Sequence, residues 1–182
     1  MQLGPIDFPN EVIDALRDDR LVVLAGAGVS IGAPSNMPSF GQLVDDIAQR
    51  TGESVGKWEP PDRFLGRLGD GRKVDVHTAA AQALSEKQGA ANDLHKALVR
   101  LFRKADLMRV VTTNFEFLIE EAAGEVLGQR PRSFEAPAIP VGSDFRGVVH
   151  VHGGLSDPYN MVLTDADFGR AYLLEGWARR FL

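Results

Sequence analysis

A chain of 182 residues, 44% hydrophobic and 25% charged, has the size and composition of one globular domain with a sizeable core. It holds no cysteine, which excludes disulfides, thiolate nucleophiles and a four-cysteine zinc cluster. A net charge of -5 disfavours a nucleic-acid partner, and no stretch approaches the ~18 apolar residues of a membrane span. The start MQLGPIDFPNEV has no basic or apolar leader region, so a cytoplasmic location is expected.

Asn10 to Arg20 carries Val12, Ile13 and Leu16 at helical spacing and reads as a first helix lying on a sheet. Leu21 to Ala25 is an apolar run ending in Gly26-Ala27-Gly28, the pattern of a strand buried on both faces, as in the middle of a parallel sheet. Gly26, Gly28 and Gly32 fit G-x-G-x-x-x-G rather than the dinucleotide fingerprint, so a bland turn and a phosphate-approaching turn both remain open. Ser39 and Gln42 form a capping box before a helix to about Arg50, so the turn opens toward two helix starts, near Ser30 and near Phe40.

Thr51 to His77 is rich in glycine, proline and charge and reads as an insertion over the site, either lid or surface loop, with Phe64, Leu65 and Leu68 as a short helix. Trp58 is either a lid aromatic or a local anchor. Two helical stretches come next, over Ala79 to Leu84 and from Leu94 to Leu101, broken near Gly89. The cations Lys96, Arg100, Arg103 and Lys104 suit the negative end of a helix better than a phosphate patch.

Leu107 to Val111 is a second apolar strand, ending in Thr112-Thr113-Asn114 before a helix with Phe115, Leu118, Ile119 and Ala122 on one face. Gly128 to Gly147 reads as loop, with Ala138 to Val141 a short extended piece. Val148 to Val151 is a third strand closing at His152-Gly153-Gly154, and Met161 to Leu163 a candidate fourth. Thr164 with Asp167 caps a last helix, on which Phe168, Ala171, Tyr172, Ala178 and Phe181 share a face.

In an open parallel sheet, ligands sit beyond the carboxyl ends of the strands. Gly26-Ala27-Gly28, Thr113-Asn114 and His152-Gly153 are three such ends, and together they favour one crevice with Asn114 and His152 in it. His150 leaves its strand on the same face as His152, but no third ligand stands at suggestive spacing and a metal site is not expected. His77 and His95 receive no role.

These residues resemble the sirtuin-like superfamily. Gly26-Ala27-Gly28-Val29-Ser30 looks like its opening NAD motif, Pro38-Ser39-Phe40 like the proline-x-aromatic that comes after it, Thr112-Thr113-Asn114-Phe115-Glu116 like its T-x-N-aromatic-acidic motif, and His152-Gly153 like its histidine-glycine. Val162 to Phe168, V-L-T-x-x-D-F, is similar to the bacterial phage-defence branch. That resemblance implies an NAD glycohydrolase releasing nicotinamide and ADP-ribose, which depletes host NAD in anti-phage defence. It also implies a homo-oligomer or one module of a longer protein, with an ATPase-like or Argonaute-like partner. Protein deacylation is disfavoured by the missing cysteines; Gly41 stands where deacylases have arginine, and Glu116 where they have aspartate.

The expected architecture is α/β: a Rossmann-like, mostly parallel sheet with helices on both faces and a partly helical insertion over residues 51–105. It occupies 1–182 as one domain and is incomplete at the C-terminus, being the N-terminal part of a longer protein. The expected catalytic residues are Asn114 and His152. Gly26, Ala27, Gly28, Ser30, Pro38, Phe40, Thr113 and Glu116 are expected to hold NAD as substrate, without zinc. In this scheme Asn114 holds a ribose hydroxyl or the attacking water, and His152, with an ordinary pKa of ~6.5, takes the proton. Two other classes stay open: a non-catalytic module that senses NAD or ADP-ribose, and a nucleotide-dependent dehydrogenase. The dehydrogenase is disfavoured because no acidic residue ends a second strand ~20 residues beyond the glycines.

Overall fold

A computed structural model describes residues 2–71, 74–87, 89–140 and 144–181, save the side chains of Leu3 and Arg180. In it the three apolar runs become neighbours in one parallel sheet. The chain begins with a hairpin of β1 (Gln2–Leu3) and β2 (Ile6–Asp7), then helix α1 (Asn10–Arg17) and β3 (Val23–Ala25). Four helices lead to the next strand: α2 (Phe40–Thr51), α3 (Pro61–Asp70), α4 (Val76–Ser85) and α5 (Asp93–Val99). After them, β4 (Arg109–Thr112), α6 (Leu118–Leu127), β5 (Ser133–Glu135) and β6 (Gly147–His150) complete the sheet. Its order is β3-β4-β6-β5, with every pairing parallel. The C-terminal layer is α7 (Asp165–Gly169), a π-helical turn over Arg170–Leu174, and α8 (Trp177–Phe181).

Register places the site. Ala25 pairs with Thr112, Thr112 with His150, and Glu135 with His150, so all four strands end in one row at the carboxyl edge. The pleat then sorts the valines. Val110 and Val148 pack with Ala25 against α5 and α6, while Val111 and Val149, one residue on, pack with Val162, Ala171 and Ala178 on the opposite face. A third cluster joins Leu43, Ile47, Phe64, Leu65 and Ala80 of α2 to α4 with Met161 and Leu163. The fold is therefore α/β with helices on both faces of a parallel sheet.

Several local expectations are corrected. β3 is an edge strand, with β4 on one side only, and Leu24 is 67% exposed. The C-terminal layer covers its register partner Val111 but stops short of Leu24. α1 buries none of its residues fully, with Ile13, Ala15 and Leu16 half-buried. The expected short helix is α3, longer than foreseen at residues 61–70, and residues 76–77 already belong to α4 rather than to a loop; Phe64, Leu65 and Leu68 bury against α2 and α4. Trp58 is 87% exposed and anchors nothing.

Of the two helix starts expected, near Ser30 and near Phe40, the structure has the second, that of α2. Beyond the glycines there is a single 3₁₀ turn at Ala27–Val29, and the closely spaced Gly32, Pro34 and Pro38 let no helix grow from Ser30. Met161 to Leu163 is not a strand but a buried segment, whose Val162 N–H donates to the His152 carbonyl. The fourth strand is β5, within the stretch expected to be loop; Ala138 to Pro140 is not a strand, and Val141 lies outside the described residues. The last helix is broken by the π-helical turn and by Gly176, at φ +66°. Its expected face survives, since Ala171 and Ala178 are fully buried in one cluster.

Candidate active site

Each strand end releases a loop at the carboxyl edge, and three of these loops meet. From β3 the chain turns through Ala27–Val29 and buries Ser30. The Ser30 hydroxyl donates to Glu116 Oε1 at 2.6 Å and accepts from Asn114 Nδ2 at 3.1 Å. His95 Nε2 lies 3.0 Å from the same oxygen. The backbone N–H of Asn92 donates to His95 Nδ1 at 3.1 Å, so the neutral ring carries its proton on Nε2 and donates it to Ser30. Burial lowers the His95 pKa, which keeps the ring neutral.

Asn114 comes directly after β4 and is held on every side but one. Its N–H donates to Thr112 Oγ1, and its carbonyl oxygen accepts from His150 Nδ1 at 2.8 Å. Both amide hydrogens are committed, one to Ser30 and one to Glu116 Oε1 at 2.9 Å. The amide oxygen Oδ1 is buried and has no partner among the described residues. A buried acceptor without a donor costs ~1–3 kcal/mol, a cost that a donor from outside the chain would relieve. Burial raises the pKa of Glu116 against the opposing hydrogen bonds from Ser30 and Asn114.

His150 is fully buried behind Asn114, its Nε2 lying 2.9 Å from Glu120 Oε1. Both of its ring nitrogens face acceptors, which calls for the doubly protonated ring. Burial opposes that charge, but the Glu120 hydrogen bond and charge outweigh it and hold the pKa above its ordinary value. This ion pair props the Asn114 backbone and removes His150 as a metal ligand. Among the described residues no three acidic or histidine side chains gather as a metal-binding group.

His152, two residues on, turns the other way. Its Nε2 lies 2.7 Å from the Tyr172 hydroxyl, and its ring meets Phe168 edge-on at 5.4 Å. Burial, with no neighbouring charge to offset it, pushes its pKa down to about 4, so the imidazole is neutral at pH 7.

These groups open on one cavity of about 210 Å³. Of the expected residues, Ala27, Ser30, Pro38, Phe40, Thr113, Asn114, Glu116 and His152 line it. Gly26 and Gly28 do not, and flank Ala27 in the same turn. Neither has a positive φ, and a side chain at Gly28 would meet nothing within 4 Å. The fold itself has no need of glycine at position 28.

Residues 108–182 match the SIR2-like domain family. That segment is sirtuin-like. It contains β4, the T-T-N-F-E loop, His152-Gly153 and the V-L-T-x-x-D-F stretch, and it points to NAD-related chemistry. The chain is also 36% identical over 202 aligned positions to the uncharacterized protein y4cA of Sinorhizobium fredii (strain NBRC 101917 / NGR234). The alignment takes in 99% of this chain but 16% of that protein, so the chain spans about a sixth of the relative's length.

The cavity has walls to which the sequence reading gave no role. Met37, Leu84, Phe115, Val162 and Phe168 supply apolar surface, and His95 and Tyr172 bond residues that line it. Phe115, Val162 and Phe168 stood within motifs already singled out, without a role, and Asn92-x-x-His95 has capping-box spacing, which Asn92 uses to cap α5. Of the described residues between 51 and 105, only Leu84 lines the cavity.

Proposed function

We propose that this domain hydrolyses NAD to nicotinamide and ADP-ribose, with Asn114 and His152 at the reacting centre. The observation that carries the reading is that Asn114, whose buried Oδ1 has no partner among the described residues, lines the same cavity as neutral His152. The leaving pyridine of NAD is already cationic, so its departure needs no general acid. The protein has to supply position, shelter from water and a base.

Asn114 Oδ1 accepts from a hydroxyl of the nicotinamide ribose or from the attacking water, and Ser30 and Glu116 fix the amide so that its oxygen is the free end. Gly26, Ala27 and Gly28 let the diphosphate approach the backbone, with Thr113 and Pro38 beside them. Phe40 screens the ribose from bulk water. His152, neutral at pH 7, takes a proton from the water as it attacks C1′.

As an effector, the domain would deplete NAD in bacterial anti-phage defence, acting as a homo-oligomer or as one module of a longer protein with an ATPase-like or Argonaute-like partner. The length of y4cA beyond the aligned region supports the modular arrangement. Incubating pure protein with NAD and measuring free nicotinamide tests the reading. Nicotinamide and ADP-ribose formed in equal amounts support it. NAD bound and returned intact would make this a sensing module instead.

A further inference from the structure

Tyr172 is absent from the cavity wall, yet its hydroxyl has His152 Nε2 as its one partner among the described residues. An imidazole offers two nitrogens, and here Nε2 is taken while no described residue bonds Nδ1. We propose that Tyr172 is a positioning residue: by engaging Nε2 it fixes the ring and leaves Nδ1 as the nitrogen that accepts the proton.

The backbone supports a placed rather than incidental contact. Tyr172 lies within the π-helical turn, closed by the Glu175 N–H donating to the Arg170 carbonyl at 3.0 Å. Such a turn inserts a residue and rotates the next stretch of helix, at a local cost, and π-turns recur where a side chain has to be aimed. The Tyr172 ring stacks on Phe168 at 6.1 Å and 17°, and His152 meets both rings edge-on. The three rings therefore form a frame, and the hydroxyl is its only hydrogen bond to the imidazole.

The reactive step, which rests on the hydrolase reading, then balances. The water oxygen bonds C1′ as the C1′–nitrogen bond breaks, and its electron pair leaves with neutral nicotinamide. The water proton passes to Nδ1, and Nε2–H of the resulting imidazolium donates to the Tyr172 oxygen. The proton afterwards returns to solvent.

Tyr172→Phe keeps the ring stack and removes only the hydroxyl. It is expected to lower kcat about tenfold to a hundredfold with KM for NAD within about twofold. Leu174→Ala, on the exposed side of the same turn, is expected to keep wild-type rates. Nitrogen-15 NMR of wild-type protein is expected to show His152 with Nε2 protonated and Nδ1 bare, and Tyr172→Phe to show mixed tautomers. A wild-type proton on Nδ1, or an unchanged kcat in Tyr172→Phe, would overturn the proposal. If the wild type releases no nicotinamide, the hydrolase reading fails, and the NMR signature still decides the role of Tyr172.

Discussion

Asn114 and Glu116, two residues apart at the end of β4, share a 2.9 Å hydrogen bond that turns the amide of one toward the carboxylate of the other. With the second amide hydrogen on Ser30, this leaves the buried Asn114 oxygen without a partner among the described residues, and in the proposed reaction it is the atom that meets the substrate. Asn114→Ala is expected to lower nicotinamide release about 100-fold or more, because the substrate loses its register with the base. Asn114→Asp should do no better, since a second carboxylate beside Glu116 repels it. Circular dichroism and a thermal melt of Asn114→Ala are expected to stay near wild type, because among the described residues the Asn114 side chain bonds only Ser30 and Glu116, whereas the buried carboxylate pair of Asn114→Asp should lower its melting temperature.

Burial sets the pH response. With a His152 pKa of about 4, the base is available well below the 6.5 of a free histidine. The rate should therefore be level from pH 8 through 6.5 and fall only toward pH 4 to 5. Stability should move the same way. Between pH 6.5 and about 4 the unfolded chain accepts a proton at His152 that the fold refuses, so that contribution is lost as pH falls through this window. Relative to His152→Gln, the wild type should lose at most about 3 kcal/mol from pH 7 to pH 4, as read by urea unfolding at each pH.

The buried His150–Glu120 pair makes a separate prediction. His150→Ala strands a carboxylate in the core, and is expected to cost about 3–5 kcal/mol in urea unfolding. Replacing both partners by leucine removes the stranded charge, and should recover much of that loss. Activity should not return with it, because the Asn114 carbonyl would still lack its donor.

The sheet and the meeting of its loops were legible because Leu21 to Ala25, Leu107 to Val111 and Val148 to Val151 are apolar runs that stop at polar or glycine residues. Parallel pairing then forces their ends to one edge. The features that stayed hidden depend on contacts across the chain. β5 has only Phe134 as an apolar residue, since an edge strand with one neighbour needs no more. Nothing near His95 or Tyr172 in sequence shows that they meet Ser30 and His152, 65 and 20 residues away. The burial of Leu21 to Ala25 was overestimated, because an apolar run does not reveal whether a second strand lies beside it.

Two glycines separate ligand demand from fold demand. Gly28→Ala places a methyl in open space at an ordinary φ, so its melting temperature should hold while its affinity for NAD drops severalfold. Gly153→Ala meets the Asn160 carbonyl at φ +79° and should be destabilised by about 1 kcal/mol or more, whatever the ligand. Calorimetric titration of NAD alongside thermal melts distinguishes the two.

The most direct measurement is NAD binding and nicotinamide release side by side in wild type and His152→Ala. The account predicts that the wild type releases one nicotinamide per ADP-ribose, and that His152→Ala binds NAD within a few-fold of wild type while release falls about 100-fold or more. Undiminished release by His152→Ala, or no binding of NAD by the wild type, would contradict it.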